Sequence, residues 1–260
     1  MSDMIKSVQK ATRLLSILAD SYDKPVPLAE LSEKAGINKS TCSHIISTLE
    51  NEGYATKISN SKGYILGPAA YCLSRFGKYK NGLIAICHPI MQYIYRNTGY
   101  SVLLAVIESN TKYIIDYIDD GKIFTTKTMI HTDDIYRTAT GQAILANLPT
   151  EKVYSIVKKY GLPTSKEWFD ADSFEDLLNN ISTNEKNSVF TTTALYPEKN
   201  ILCIGYGCPI FNSVECVGAF GIAVNIPDDK VPAVPDDEDN IIKFLKLGAK
   251  EANRRLSDEV

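Results

Sequence analysis

A chain of 260 residues with 44% hydrophobic and 23% charged residues is ordinary globular material, long enough for two domains and apolar enough to build its cores without disulfides. No apolar run approaches the length that spans a bilayer, which excludes a helical membrane protein. The net charge of −3 divides unevenly: residues 1–66 carry eight Lys/Arg against seven Asp/Glu, a net of +1, which leaves −4 for the remainder. In chain order, Val8, Ala11, Leu15 and Leu18 fall at helical spacing and predict a first helix over 7–20 with Ser7 as its N-cap. The turn formers of 21–27 end it. Leu28–Ala35 reads as a second, shorter helix, Gly36 as a tight turn, and Asn38 as the N-cap of a third helix that Gly53 closes. On this third helix Cys42, Ile45, Ile46 and Leu49 share one side, and Ser40, Ser43, His44 and Ser47 share the other. Glu and Lys keep a merely solvated face soluble with better helix propensity; bare hydroxyls let a helix come close to something. The period then changes, and Tyr54–Ile58 and Gly63–Leu66 read as two strands joined by the polar Ser59, Asn60, Ser61 and Lys62. Helix, glycine turn, helix and hairpin is the order of a winged helix-turn-helix, in which the second helix of the pair enters a DNA major groove.

Beyond Gly67 and Pro68 a helix is predicted from about Ala69, broken between Gly77 and Gly82 and followed by a longer one over Leu83–Asn97, a segment well placed to join two domains. Strands follow at 102–108 and 112–118, helices at 141–148, 151–160 and 173–184, strands at 188–195, 201–211 and 214–226, and a closing helix from roughly 234 to 256. The acidic run Asp236 to Asp239 reads as a solvated start to that last helix, where carboxylates suit the dipole. The class is α+β, with one mixed or antiparallel sheet flanked by helices. Residues 1–68 form the DNA-binding domain, 69–82 a linker helix and 83–260 a second domain.

Six cysteines, Cys42, Cys72, Cys87, Cys203, Cys208 and Cys216, occur without CxxC spacing and with no signal peptide ahead of them, which predicts reduced thiols in a cytoplasmic compartment. Zinc binding by Cys203, Cys208 and Cys216 stands against their use as small buried hydrophobes in strands, and the second reading is preferred. His88 and His131 show no ligand pattern. No metal or cofactor is expected.

The segments S-V-x-K-A-x-x-L-L-x-I-L at 7–18, L-A-E-L-S-x-x-A-G-I at 28–37, K-S-T at 39–41 and Y-x-L-G at 64–67 resemble the IclR family of bacterial transcriptional regulators. The match continues in T-A-T-G-Q-A-I-L-A at 138–146, E-K-N-I-L-C-I-G-Y-G-C-P-I at 198–210 and G-A-F-G-I-A-V at 218–224. The resemblance implies a winged helix-turn-helix, a linker helix used in dimerisation and a GAF-like effector-binding domain. It also implies homodimers or homotetramers on a palindromic double-stranded operator, with a small organic effector altering that binding. The chain departs from the family where Ser43 and His44 replace a frequent His and Arg, where Gly141-Gln142 replaces Gly-Lys, and where Gly221-Ile222-Ala223 replaces the Ser-x-Ser of some members.

Each candidate residue has an expected role. Lys39, Ser40 and Thr41 at the start of the third helix meet phosphates, as do Ser7 and Lys10 on the first; Ser43, His44 and Ser47 reach base edges. Ser59, Asn60 and Lys62 at the wing tip touch backbone or minor groove. A solvated helix face is the competing reading. The Thr138, Ala139, Thr140, Gly141 and Gln142 stretch opens a helix whose unpaired amides suit a carboxylate or carbonyl oxygen, against the plainer reading of an ordinary capped helix. Glycines at 205, 207, 218 and 221 either relieve sheet crowding or leave a cavity, and the resemblance favours the cavity, with Cys203, Gly205, Cys208, Gly221 and Ala223 as its lining. The alternative function is an enzyme acting on a small metabolite in that cavity, although no nucleophile elbow, Gly-rich phosphate loop or HExxH is present.

Overall fold

In the computed structural model, which describes residues 4–21, 24–58, 63–75, 81–118, 135–182, 188–196, 201–227, 235 and 237–258, the chain divides into two units, Met1–Asn81 and Gly82–Val260. The first opens with helix α1 (Lys6–Ala19), which buries Leu14 and Leu18. Ile5, not Ser7, occupies the N-cap position, with no side-chain cap bond. Ser7 therefore lies exposed inside the first turn. Val8, expected on the buried stripe, is 56% exposed; the stripe begins a turn later, where Ala11, Leu15 and Ile17 pack on the core.

Strand β1 (Val26–Pro27), helix α2 (Leu28–Lys34), helix α3 (Lys39–Asn51), and strands β2 (Ala55–Ile58) and β3 (Gly63–Leu66) follow, then helix α4 (Pro68–Arg75). Gly36 joins α2 to α3 at φ +63°, a backbone state that costs a side-chain-bearing residue but not glycine. Leu31, Ala35, Cys42, Ile46 and Leu49 close over Leu14 and Leu18 in one core, each fully buried Leu or Ile being worth about 1.5–3 kcal/mol. The segment 21–27, expected to be only a turn, contributes β1, which pairs with β3 at Val26↔Tyr64 and Pro27↔Gly63. Two residues ending in proline carry no strand signal, and an edge is where a sheet tolerates proline.

Helix α5 (Asn81–Thr98) leads into the second unit, with strands β4 (Val102–Glu108), β5 (Thr111–Ile118), β6 (Phe190–Tyr196), β7 (Ile201–Phe211) and β8 (Cys216–Pro227) and helices α6 (Ala139–Leu145), α7 (Thr150–Tyr160), α8 (Phe174–Ser182) and α9 (Glu238–Asp258). The strands form one sheet in the order β5-β4-β8-β7-β6, and each paired neighbour is antiparallel. Side chains alternate faces along a strand. Val102, Leu104, Val106, Ile204, Tyr206, Cys208, Ile210, Phe220, Ile222 and Val224 pack on α5 and on the α9 stripe Ile241, Leu245, Ala249, Ala252 and Leu256. The opposite face holds Leu103, Ala105, Ala219 and Phe190 under Ala139, Ala143 and Ile144 of α6. A lobe of α7 and α8 packs Val153, Ile156, Leu177 and Ile181 against Ile135, Tyr136 and Leu145.

The acidic start of α9 is more than solvated. Tyr100 Oη donates to Asp237 Oδ1 at 3.1 Å and Tyr206 Oη to Glu238 Oε1 at 2.9 Å. Burial, then the bond to the Glu238 carboxylate, pushes the Tyr206 phenol up. Asp236 lies outside the described residues.

Two glycines seat α6 on the sheet. A Cβ at Gly207 would lie 2.4 Å from both C and O of Ala139, and one at Gly221 would lie 2.5 Å from Thr140 Cγ2. At Gly248 the nearest obstacle, 2.5 Å away, is the tip of Ile94, which can rotate. Gly207→Ala should therefore cost the second unit stability at or above the top of the about 1–3 kcal/mol range for overpacking, and Gly248→Ala distinctly less. Urea unfolding of each variant, followed by the emission of Trp168, measures the order; equal tolerance of both would show that α6 does not depend on its contact with β7.

Candidate functional site

Helix α3 is positioned from both ends of its preceding turn. The Asn38 side chain accepts from Thr41 N at 2.8 Å, and Arg13 of α1 donates from Nη1 to Ala35 O at 2.9 Å, which ties the end of α2 to α1. Cys42, Ile46 and Leu49 are buried under α1 and α2. Ser40, Ser43, His44 and Ser47 consequently project outward and are exposed, together with Lys39; Thr41 is half-buried.

The hydroxyls of this unit divide into two groups. Thr12, Ser16, Ser32 and Thr48 donate back to carbonyls three or four residues earlier in their own helices, the usual resting state of a helical Ser or Thr. Ser40, Ser43 and Ser47, and the His44 ring, make no side-chain hydrogen bond among the described residues. The face holds donors and acceptors ready for an outside partner. Lys10 is half-buried on α1. Lys57 is exposed on β2, its Nζ 6.0 Å from the centre of the Tyr64 ring. Ser59, Asn60 and Lys62, the expected wing tip, lie outside the described residues, as does His131.

In the second unit, Thr138 caps α6, its hydroxyl accepting from Gly141 N at 3.3 Å. The same oxygen accepts from Lys112 Nζ at 2.7 Å, and Lys112 is only 3% exposed. Sequence reasoning missed this lysine, which there reads as the polar member of an alternating strand. Gln142, expected to meet a ligand, turns inward and donates to Tyr136 O at 2.7 Å. A Cβ at Gly141 would lie 2.1 Å from Ile135 O, so the 135–138 segment presses directly on the helix. Thr140 N faces Gly207, 2.6 Å from where a Cβ would stand. The amides expected to hold a carboxylate are thus turned onto the protein itself. Gly207 and Gly221 leave no cavity there, because α6 fills the space above them. Their reason is close approach.

The expected lining also divides by face. Cys208 packs in the α5–α9 core. Cys203 is an odd number of residues away, pairs with Asn225 and shares a face with Gly205, whose Cβ would lie 3.7 Å from Ala139 Cβ. Cys203 and Cys208 cannot ligate one ion from opposite faces of β7, so the zinc reading fails on geometry. Cys203, Gly205 and Ala223 remain together beside the start of α6, and the register adds Thr192 opposite Gly205 and Ala194 opposite Cys203. These two additions needed cross-strand register; the run Thr191 to Ala194 carries no site signal of its own.

Behind the sheet, His88 Nδ1 and Asp116 Oδ2 lie 2.8 Å apart, joining α5 to β5. Neighbouring Cys87 faces the core, its thiol pushed up to about 12 by burial and then by Asp116, which removes the nearest candidate nucleophile from this pair.

A winged helix-turn-helix unit joined to a five-stranded antiparallel sheet with helices on both faces defines a two-part class of DNA-binding protein. Residues 7–59 match the family described as IclR helix-turn-helix domain, and residues 79–253 match the bacterial transcriptional regulator IclR C-terminal family. The chain belongs to the IclR family. It is similar to the acetate operon repressor of Salmonella typhimurium, 26% identical over 161 residues, 61% of this chain and 58% of that protein; the match thus spans little more than half the relative's length. Among solved structures it resembles an IclR regulator of Alicyclobacillus acidocaldarius (TM-score 0.66, 21% identity, covering 98% of this chain and 100% of that one). It also resembles an IclR homologue of Microbacterium hydrocarbonoxydans complexed with 4-hydroxybenzoate (TM-score 0.64, 16% identity, covering 96% and 98%). At these identities the likeness is one of fold.

Of the six cysteines, Cys42, Cys87, Cys203, Cys208 and Cys216 are buried and Cys72 is exposed. Desolvation pushes Cys208 and Cys216 up to about 12 and raises Cys42 and Cys203, so at pH 8 these carry almost no thiolate, the reactive form. One thiol, Cys72, should react quickly with a disulfide reagent under native conditions and Cys72→Ser should abolish that phase; a second fast thiol in the variant would contradict the burial pattern.

Proposed function

We propose that the chain is a DNA-binding transcriptional regulator whose operator affinity or assembly is set by a small organic effector held in the second unit. One observation carries this reading: α3 presents four exposed side chains free of internal hydrogen bonds, Ser40, Ser43, His44 and Ser47, on a helix capped by Asn38 directly after the Gly36 turn. Small hydroxyls allow the helix axis close to the groove floor, and His44 offers one ring donor or acceptor to a base edge. Lys39, Ser40 and Thr41 at the helix start, with Ser7 and Lys10 on α1, serve the phosphates, and Ser59, Asn60 and Lys62 the wing contacts.

So few cations per half-site give a modest electrostatic share of affinity. A homodimer or homotetramer engaging a palindrome supplies the rest by avidity, with residues 1–68 as the DNA-binding domain, 69–82 as the linker helix and 83–260 as the effector and oligomerisation domain. The effector occupies the α6 face beside Thr140, over Cys203, Gly205 and Ala223, and shifts the population of assemblies with differently spaced α3 helices. The protein works in the cytoplasm, consistent with unpaired cysteines; no helix among the described residues is long and apolar enough to cross a membrane. Regulation is preferred over catalysis because the α6 face presents binding groups but no paired acid and base among the described residues.

Anisotropy titrations of the full chain on DNA from its own upstream region test the reading. His44→Ala should relax base preference at one position per half-site, by about 1–3 kcal/mol. Lys39→Ala should weaken all sequences alike and lower the salt slope by about one. Unaltered preference in the first variant would remove His44 from the reading set. Operator affinity indifferent to every metabolite that binds, 4-hydroxybenzoate included in the panel, would sink the effector mechanism.

A further inference from the structure

The register of the second sheet places three rows of side chains on the α6 face. The first runs Phe190, Gly207, Gly221, Leu103 and lies under the first turn of α6. The second, Thr192, Gly205, Ala223, and the third, Ala194, Cys203, Asn225, extend beyond that turn. No side chain in these two rows is larger than Asn. With strands about 4.8 Å apart and alternate residues about 6.8 Å apart, the floor measures roughly 10 by 7 Å, the footprint of one six-membered ring with a substituent. Its back is sealed by the α5–α9 core. Phe190, 6% exposed, walls one end, with the Trp168 ring centre 6.2 Å from its own.

An independent observation says that something polar is received here. Thr140, on the turn that overhangs the floor, is 5% exposed, and its methyl lies against Gly221. Its hydroxyl has no partner among the described residues, yet it keeps contact with accessible space. A hydroxyl on a residue this buried is costly unless something bonds it. Thr192, half-buried, and Asn225, exposed, are likewise without side-chain hydrogen bonds among the described residues. Both can donate or accept.

We infer that Thr140, Thr192 and Asn225 are the specificity-determining residues of the effector site and select a single-ring molecule carrying a planar carbonyl-bearing head, a carboxamide or a carboxylate. The ring lies on Gly205, Ala223 and Cys203 against Phe190, and the head meets the three polar groups. This rests on the effector reading above for its regulatory meaning, but not for the binding itself.

The test uses the full chain and three probes of equal ring size, benzamide, benzoate and toluene, with the emission of Trp168, the single tryptophan, as readout. Benzamide or benzoate should bind at least about tenfold tighter than toluene, one or two neutral hydrogen bonds being worth that much; which of the two is preferred identifies the head. Thr192→Val and Asn225→Ala should each erase most of that preference and leave toluene within about twofold. Ala223→Leu, which fills the floor, should abolish all three while thermal unfolding shows the fold intact. A preference that survives both polar variants overturns the inference, as does the failure of any probe to move Trp168 emission. Probes that bind without changing operator affinity leave the site standing and fail the effector reading instead.

Discussion

One buried stripe on α3 governs the DNA-facing unit. Cys42, Ile46 and Leu49 must lie under α1 and α2 because nothing else fills that core, and the 3.6-residue period then leaves Ser40, Ser43, His44 and Ser47 nowhere to go but outward. The helix start is held by Asn38 and the preceding turn by Arg13. Recognition thus follows from packing: the core fixes how the helix is rolled, and its roll decides which groups can meet DNA.

The second unit depends on a comparable constraint. Gly207 and Gly221 remove the side chains that would hold α6 off the sheet, so the helix rests with its first turn on bare backbone. The turn spends its own groups on that docking: Thr138 receives Gly141 N and Lys112, and Gln142 secures Tyr136. What remains for a ligand is the strip of small residues just beyond, with Thr140 at its edge. A ligand there touches the element whose position the glycines fix, a physical route from binding to a change in how the unit presents itself.

Much of this was legible in the sequence because helical periodicity and capping are local. The two faces of α3, the Gly36 turn and the Asn38 cap agree with the expectation residue by residue. Strand facing was less legible. The run Ile204 to Ile210 mixes glycine with large apolar residues, so alternation is hidden, and only the cores on either side separate Cys208 from Cys203. A glycine signals missing volume without saying whether a cavity or a neighbouring backbone takes it; at 207 and 221 it was the backbone. Thr192 and Asn225 become neighbours of Gly205 and Cys203 only through register across three strands, and Lys112 meets Thr138 from 26 residues away, separations that no local pattern encodes. β1 was invisible for the opposite reason, being too short to have a pattern.

The most direct measurement of the central claim is hydrogen exchange of the full chain with and without DNA from its own upstream region. Burial of the α3 face in a groove predicts slowed exchange concentrated in peptides covering residues 37–52, with weaker protection around the first turn of α1. Protection absent from 37–52, or confined to the second unit, would contradict it.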